Sequence, residues 1–284
     1  MESLTADELR DVVRRALAED VGDGDVTTLA TVPAAASAQA MMIAREPLVL
    51  AGLALAEEAF RQLAPGVETQ RFLQDGERAG QGARLLRVRG PAQALLTAER
   101  VALNFVQRLS GIATLTAQFV EAVRGTRARI LDTRKTTPGL RRLEKYAVAC
   151  GGGANHRFGL FDRVLIKDNH LAALRDAPPN AIAAAVERAR ARFPQLKVEV
   201  EADTLEQVRQ AVAARADIIL LDNMTPAQLR AAVTLVNGAA QTEASGGVTL
   251  ATVRALAETG VDFISVGALT HSARAVDIAL DFES

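Results

Sequence analysis

From Ala128 onward the chain alternates short β-branched or Leu-rich segments with amphipathic helical ones, a pattern few folds accept. The strand-like pieces are ARILDT, RVLIKD, KVEVEA, DIILLD, QTEASG and DFISVG. Between most of them lie AIAAAVERARARF, TLEQVRQAVAAR, TPAQLRAAVTLV and TLATVRALAETG. Repeated βα units imply a parallel sheet, because parallel neighbours need a crossover longer than a turn. Regular repetition without a break favours a closed barrel. Six strands read clearly, fewer than a standard barrel has, so a seventh or eighth is expected in GANHRFGL or in the N-terminal half.

The preceding half has a different rhythm. Thr5 or Asp7 can cap a first helix to about Ala18, and EDVGDGDVTT reads as a turn-forming loop. QAMMIAREPLVLAG reads as a strand, and LALAEEAFRQLA as a helix closed by Pro65 and Gly66. Short glycine-punctuated strands follow, completing one α+β unit to about residue 96. TAERVALNFVQRLSGIATLTAQFVEAVRG is then a long helix with Val101, Phe105, Leu109 and Ile112 on its apolar face.

In parallel barrels the active site lies at the C-terminal ends of the strands. Here those ends carry Asp132, Thr133, Arg134 and Lys135; Lys167, Asp168, Asn169 and His170; Glu199 and Glu201; Asp222 and Asn223; Glu243 with Ser245, Gly246 and Gly247; and Gly267 with His271 nearby. A purely structural barrel would not need polar groups at every end. The run from Ile130 to His170 holds eight Lys or Arg against four Asp or Glu, inside a chain of formal net charge -1. A local cation cluster in a near-neutral chain suits a small, multiply charged anion and not a nucleic-acid surface. Arg134, His156, Arg157 and Lys167 can surround a planar dicarboxylate, and Lys135 can meet a phosphate.

Alternation places Glu199 and Glu201 on one inward strand face; with Asp222 they can ligand Mg²⁺ or accept from sugar hydroxyls, unless that face is simply solvated. Ser245, Gly246, Gly247 and Gly267 let backbone N–H groups approach a phosphate, aided by a helix expected to start near Thr249. Arg141, Arg142 and Lys145 share a helix with Glu144 and fit a solvated face at least as well as a site; His170 divides evenly between site and structural roles. The single cysteine, Cys150, is read as a packing residue, and its isolation suits a reducing compartment. No basic-then-apolar leader opens the chain and no apolar run approaches the roughly 18 residues that span a bilayer, so a cytoplasmic enzyme is expected.

The segment LDTRKTTPGLRRLEKYAVACGGGANHRFGLFDRVLIKDNH closely resembles the signature core of the quinolinate phosphoribosyltransferases. EDVGDGDVTT, ERVALNFVQRLSGIAT, VEVE, LLDNM, EASGG and DFISVGALTHS fit the same family in the same order, from Glu19 to Asp281. The resemblance implies a type II phosphoribosyltransferase: an N-terminal α/β sandwich domain over 1–110, rejoined by 271–284, and an incomplete seven-stranded α/β barrel of TIM-like form over 111–270. It implies Mg²⁺-dependent transfer of phosphoribosyl from phosphoribosyl pyrophosphate to quinolinate with decarboxylation. It also implies a homodimer, or a higher assembly of dimers, in which Arg100 of one subunit completes its neighbour's site. Quinolinate would be held by Arg134, His156, Arg157 and Lys167 with that Arg100. Phosphoribosyl pyrophosphate would meet Lys135, Glu201, Asp222, Ser245, Gly246, Gly267 and His271. Lys135, Glu201 and Asp222 would be catalytic, and Mg²⁺ would sit mainly on the pyrophosphate, with Glu201 and Asp222 as further ligands.

Four other readings compete. A nicotinate phosphoribosyltransferase takes a monocarboxylate, and the extra cations Arg157 and Lys167 favour two carboxylates. A molybdenum-transport-associated relative shares much of the motif set. A Schiff-base aldolase would use Lys135 or Lys167, and a non-catalytic anion binder would leave the acids opposite the cations unexplained.

Overall fold

The computed structural model describes residues 4–283, which divide into two compact units. One takes the chain through Ala117, with Thr137–Gly152 and the stretch from Ser272 onward; the other takes Gln118–Thr136 and Gly153–His271.

The strands of the first part are β1 (Ser37–Ala44), β2 (Leu48–Val49), β3 (Glu68–Arg71), β4 (Arg78–Ala79) and β5 (Arg84–Pro91). Those of the second part are β6 (Arg129–Leu131), β7 (Val164–Ile166), β8 (Val198–Ala202), β9 (Ile218–Asp222), β10 (Gln241–Ser245) and β11 (Phe263–Ser265); β12 (Ile278–Glu283) follows them.

In the first unit β12, β1, β5 and β3 form an antiparallel sheet in that order, and β2 pairs with β4. Thr5 caps the first helix, Ala6–Val21, in a capping box with Glu8, and this helix packs on Leu53–Leu63. The stretch read as a loop is only partly one. Asp25 accepts from the Thr28 N–H at 3.0 Å and starts a six-residue helix, Val26–Thr31. Aspartate among glycines signals a helix cap as readily as a turn, and here Asp25 acts as the cap, with Thr28 buried beneath it. The long helix runs Ala92–Ala122, and Val101, Leu109 and Ile112 are buried on it.

The helix Arg141–Cys150 corrects a second expectation. Glu144 and Lys145 are buried, so its charged residues are not a solvated face. Glu144 holds the Arg108 guanidinium at 3.0 Å and accepts from the Thr137 hydroxyl at 2.7 Å, which pairs the buried carboxylate. Burial, reinforced by the Asp75 charge, pushes the Cys150 thiol up to about 12, as suits a packing residue and not a nucleophile.

In the second unit β6, β11, β10, β9, β8 and β7 form a six-stranded parallel sheet in that order. All six match the strand-like segments of the sequence. Ala154, inside GANHRFGL, adds a parallel bridge to Leu131 and marks a seventh position beside β6. Among the described residues the sheet stays open between that position and β7, so the barrel is incomplete and not closed. The helices Ala181–Arg192, Leu205–Ala213 and Pro226–Val236 pack in succession along it. Capping boxes at Thr204 and Thr225 set where two of them begin. Among the described residues no helix is long and apolar enough to cross a membrane.

Candidate active site

The C-terminal ends of the parallel strands surround a cavity of about 570 Å³. Arg134, Lys135, His156, Arg157, Lys167, Glu201, Asp222, Ser245 and Gly246 all line it, and all belong to the second unit. Strand alternation explains the acids and the serine. Register pairs Ser245 with Asp222 and Glu201 with Leu220, so one inward row follows another up the barrel. Arg134 and Lys135 follow β6, and Lys167 follows β7.

The cations crowd one side. Arg157 is 8% exposed; burial, and then the neighbouring Arg134 charge, work against its guanidinium and pull its pKa below the ordinary value. Its Nη1 donates to the Arg163 carbonyl at 3.1 Å, while its Nε is buried without a hydrogen-bond partner among the described residues. Burial and the second guanidinium both oppose the Arg157 charge, and a bound anion would offset them. Lys167 bridges to the other side, with its Nζ 3.3 Å from a Glu201 oxygen.

His156 is placed by three contacts. Its backbone N–H donates to Asp132 Oδ1 at 2.8 Å, and its Nδ1 accepts from the Arg157 N–H at 2.8 Å. The ring proton therefore sits on Nε2, which faces Glu199 Oε2 at 3.2 Å. Both ring nitrogens are thus engaged with the protein, and the imidazole forms part of the cavity wall.

Glu199 differs from Glu201 although both face inward. It is wholly buried beneath the cavity and does not line it. Burial raises its pKa, but the His156 contact and the Arg163 guanidinium at 3.1 Å outweigh that and hold it below the usual range. The solvated-face reading is wrong for Glu199, and its oxygens are already taken by protein groups.

On the phosphate side, Lys135 is set by its N–H donating to Thr133 Oγ1 at 3.0 Å and its carbonyl accepting from Thr270 Oγ1 at 2.7 Å. Gly267 lies between Lys135 and His271. A Cβ there would meet His271 Nε2 at 3.1 Å and Lys135 Cδ at 3.3 Å, so glycine is what lets the two side chains converge. Gly246 has φ +96°, and a Cβ would fall 2.1 Å from Asn223 Oδ1. Asn223 in turn donates to Asp222 Oδ2 at 2.6 Å. The expected helix near Thr249 begins only at Val253 and has five residues, because Leu250–Thr252 form turns, so helix-end charge adds little here.

Gly267 and His271 reach the site through Lys135 and do not themselves line the cavity. Arg100 is exposed on Ala92–Ala122, in the first unit. His170 accepts from the Lys167 N–H at 2.9 Å, a structural task at the start of a short helix. Leu165, Leu220 and Ser265 line the cavity without having been singled out, and Glu243, named among the strand-end residues but given no role, lines it too. Counting back two places from Asp222 and Ser245 would have reached Leu220 and Glu243.

Residues 112–281 match the model of the quinolinate phosphoribosyl transferase C-terminal domain, and residues 25–110 match that of the N-terminal domain. A nicotinate-nucleotide pyrophosphorylase (carboxylating) of Mycobacterium leprae is 49% identical over 97% of this chain and 97% of its own length. A probable nicotinate-nucleotide pyrophosphorylase (carboxylating) of Bacillus subtilis is 44% identical over 96% of this chain and 93% of its own. Among solved structures, NadC from Streptococcus pyogenes superposes with TM-score 0.94 at 40% identity, covering 100% of both chains.

Proposed function

The chain belongs to the quinolinate phosphoribosyl transferase family, and we infer from this membership and its cavity that it joins phosphoribosyl pyrophosphate to quinolinate. The products are nicotinate mononucleotide, pyrophosphate and CO₂, a step of NAD biosynthesis. The observation that carries the reading is the two-sided cavity. Arg134, Arg157 and Lys167 face a diacid, beside Lys135, Glu201, Asp222, Ser245 and Gly246 for a phosphorylated sugar.

In this reading Arg134 and Arg157 hold the pyridine carboxylates, with His156 as a wall that fixes ring orientation. Lys167 must exchange its Glu201 partner for a substrate carboxylate, which frees Glu201 for the ribose. Glu201 and Asp222 then favour the positive charge that grows on the sugar as pyrophosphate departs, and Lys135 meets the negative charge on the leaving group. Attack by the ring nitrogen makes that nitrogen cationic, and the cation stabilises the electron pair left at C2 when CO₂ is lost.

Mg²⁺ fits the donor set. Glu201 and Asp222 are oxygen donors at the cavity, the hard ligands Mg²⁺ takes one or two at a time alongside substrate phosphates. When bound, the ion would neutralise charge on the pyrophosphate. The assembly is assigned as a homodimer in which Arg100 of one subunit reaches the partner's quinolinate. The exposure of Arg100 and its distance in sequence from the cavity residues support that role. A cytoplasmic setting rests on the lone cysteine.

An aldolase reading fits less well. A Schiff-base lysine is activated by desolvation, whereas the Lys167 side chain is 49% exposed and ion-paired. The test is incubation with quinolinate, phosphoribosyl pyrophosphate and Mg²⁺, without ATP. The expected outcome is equimolar CO₂ and pyrophosphate. Pyrophosphate release with nicotinate but not with quinolinate would overturn the assignment.

A further inference from the structure

We propose that Glu243 carries a proton at the floor of the cavity and delivers it to C2 of the pyridine ring once the 2-carboxylate has left. The proposal rests on the transferase reading above and names the acid that its last step needs.

Glu243 lies in the middle of β10 and faces inward. It is wholly buried and lines the cavity, and neither carboxylate oxygen has a hydrogen bond of normal length and angle among the described residues, with the Ser265 hydroxyl and Glu199 lying beside it. Four groups face it. Glu199 comes from β8, Arg163 from the segment before β7, His156 from the segment after the Ala154 bridge, and the Ser265 hydroxyl from β11. The only cation among them, Arg163, is 3.1 Å from Glu199 and balances that carboxylate. The His156 Nδ1 accepts from the Arg157 N–H, and its Nε2 is 3.6 Å from Glu243 Oε2. A second ionised carboxylate in this closed space would have no counter-charge. Burial, and then the Glu199 charge, accordingly push Glu243 up to about 8, so it is protonated at neutral pH.

The ligand atoms of His156, Glu199 and Glu243 lie within 4.8 Å of one another, a spacing that would also suit a metal. Arg163 already supplies the positive charge there, and the imidazole presents a proton and not a lone pair. The cavity's arginines hold their protons too tightly to serve as acids. Glu243 is a buried acidic group on the cavity floor, and the one carboxylate beside it, Glu199, is already held by Arg163 and His156.

The step balances. The bond between C2 and its carboxylate breaks, CO₂ departs, and the bonding pair stays on C2. That pair takes the proton as the O–H bond of Glu243 breaks. Glu243 is left as a carboxylate and recovers a proton from water when the products leave.

The test runs the parent chain and Glu243→Gln in an equal mixture of H₂O and D₂O, and reads the hydrogen-to-deuterium ratio at C2 of the nucleotide by NMR. Glutamine keeps the shape without the acid. The expected variant folds as the parent does, keeps its quinolinate KM within about twofold, loses ~10²-fold or more in kcat, and shows a different C2 isotope ratio. Equal kcat and equal isotope ratio would overturn the proposal. Should the variant not fold, the parent alone decides. Its C2 isotope ratio is expected to drift between about pH 6 and pH 9.5 as Glu243 ionises, and a constant ratio overturns the assignment. A stoichiometric divalent metal held by the parent and lost in Glu243→Gln would overturn it as well. If the transferase reading fails, the parent releases no CO₂ at all, and this assignment falls with it. If only Glu243 is wrongly assigned, the parent turns over normally and the variant matches it.

Discussion

Arg157 places an Nε with no hydrogen-bond partner among the described residues beside a cavity that it shares with a second guanidinium, Arg134, and its charge is at odds with its burial. A bound dicarboxylate removes that conflict, so the arginine contributes most when substrate is present. Arg157→Ala should weaken quinolinate binding by roughly 2–5 kcal/mol, the range for stranding one partner of a buried charge pair. Steady-state kinetics should show this as a raised KM for quinolinate with little change in KM for phosphoribosyl pyrophosphate. A uniform rise in both would place the residue elsewhere. At this scale much of the site was legible. Arg134, Lys135, Lys167, Glu201, Asp222 and Ser245 stand at or just beyond strand ends, and alternation gives the inward face. The contrast between Glu199 and Glu201 was not legible. They are two residues apart on one face, yet Glu199 is buried against Arg163 and Glu201 opens on the cavity, because depth along a barrel depends on which neighbours cover each layer.

The C-terminal strand β12 illustrates the element scale. It pairs with β1 from Gln39 to Ala44, and just before it Glu46 accepts from the Asp277 N–H at 2.8 Å and takes the Arg274 guanidinium at 2.7 Å. Those contacts, the Arg274 hydrogen bond foremost, hold the Glu46 carboxyl down at about 2, against 4.5 for the free group. A depressed folded pKa means the stabilisation is complete above pH 4.5 and is lost as pH falls toward 2. Glu46→Gln should therefore be less stable than the parent at pH 6, with the gap closing near pH 2.5, as read from urea midpoints (about these pH values). An unchanged gap would remove Glu46 from the acid response. Sequence pattern found the strands more reliably than the short helices. Parallel strands buried on both faces are marked by apolar runs that no loop would carry, as in IILLD. The helices Val26–Thr31 and Val253–Ala257 have six and five residues, too few for a periodic face to show.

For the whole molecule the open question is assembly, and it has a direct experiment. Arg100→Ala subunits mixed with Lys135→Ala subunits should recover activity, since one site in each heterodimer would hold an intact Lys135 and an intact Arg100. Restoration toward a quarter of parental activity is expected on random mixing (an order-of-magnitude figure, about one sound site in two, in half the dimers). No restoration would count against a shared site. The six parallel strands, the longer helices between them and the family were carried by the linear chain, because periodicity and motif spacing are local properties of the backbone. Three things waited for the folded form. The seventh position of the incomplete barrel is a single bridge at Ala154, where the residue pattern alone favoured closure. The helix Arg141–Cys150 buries Glu144 and Lys145, which its charges alone would have put in water. Glu243 faces Glu199 across the barrel interior with no cation of its own. Each depends on which distant residues share a small closed volume, and solvation and charge balance in that volume are properties of contacts between segments far apart in the chain.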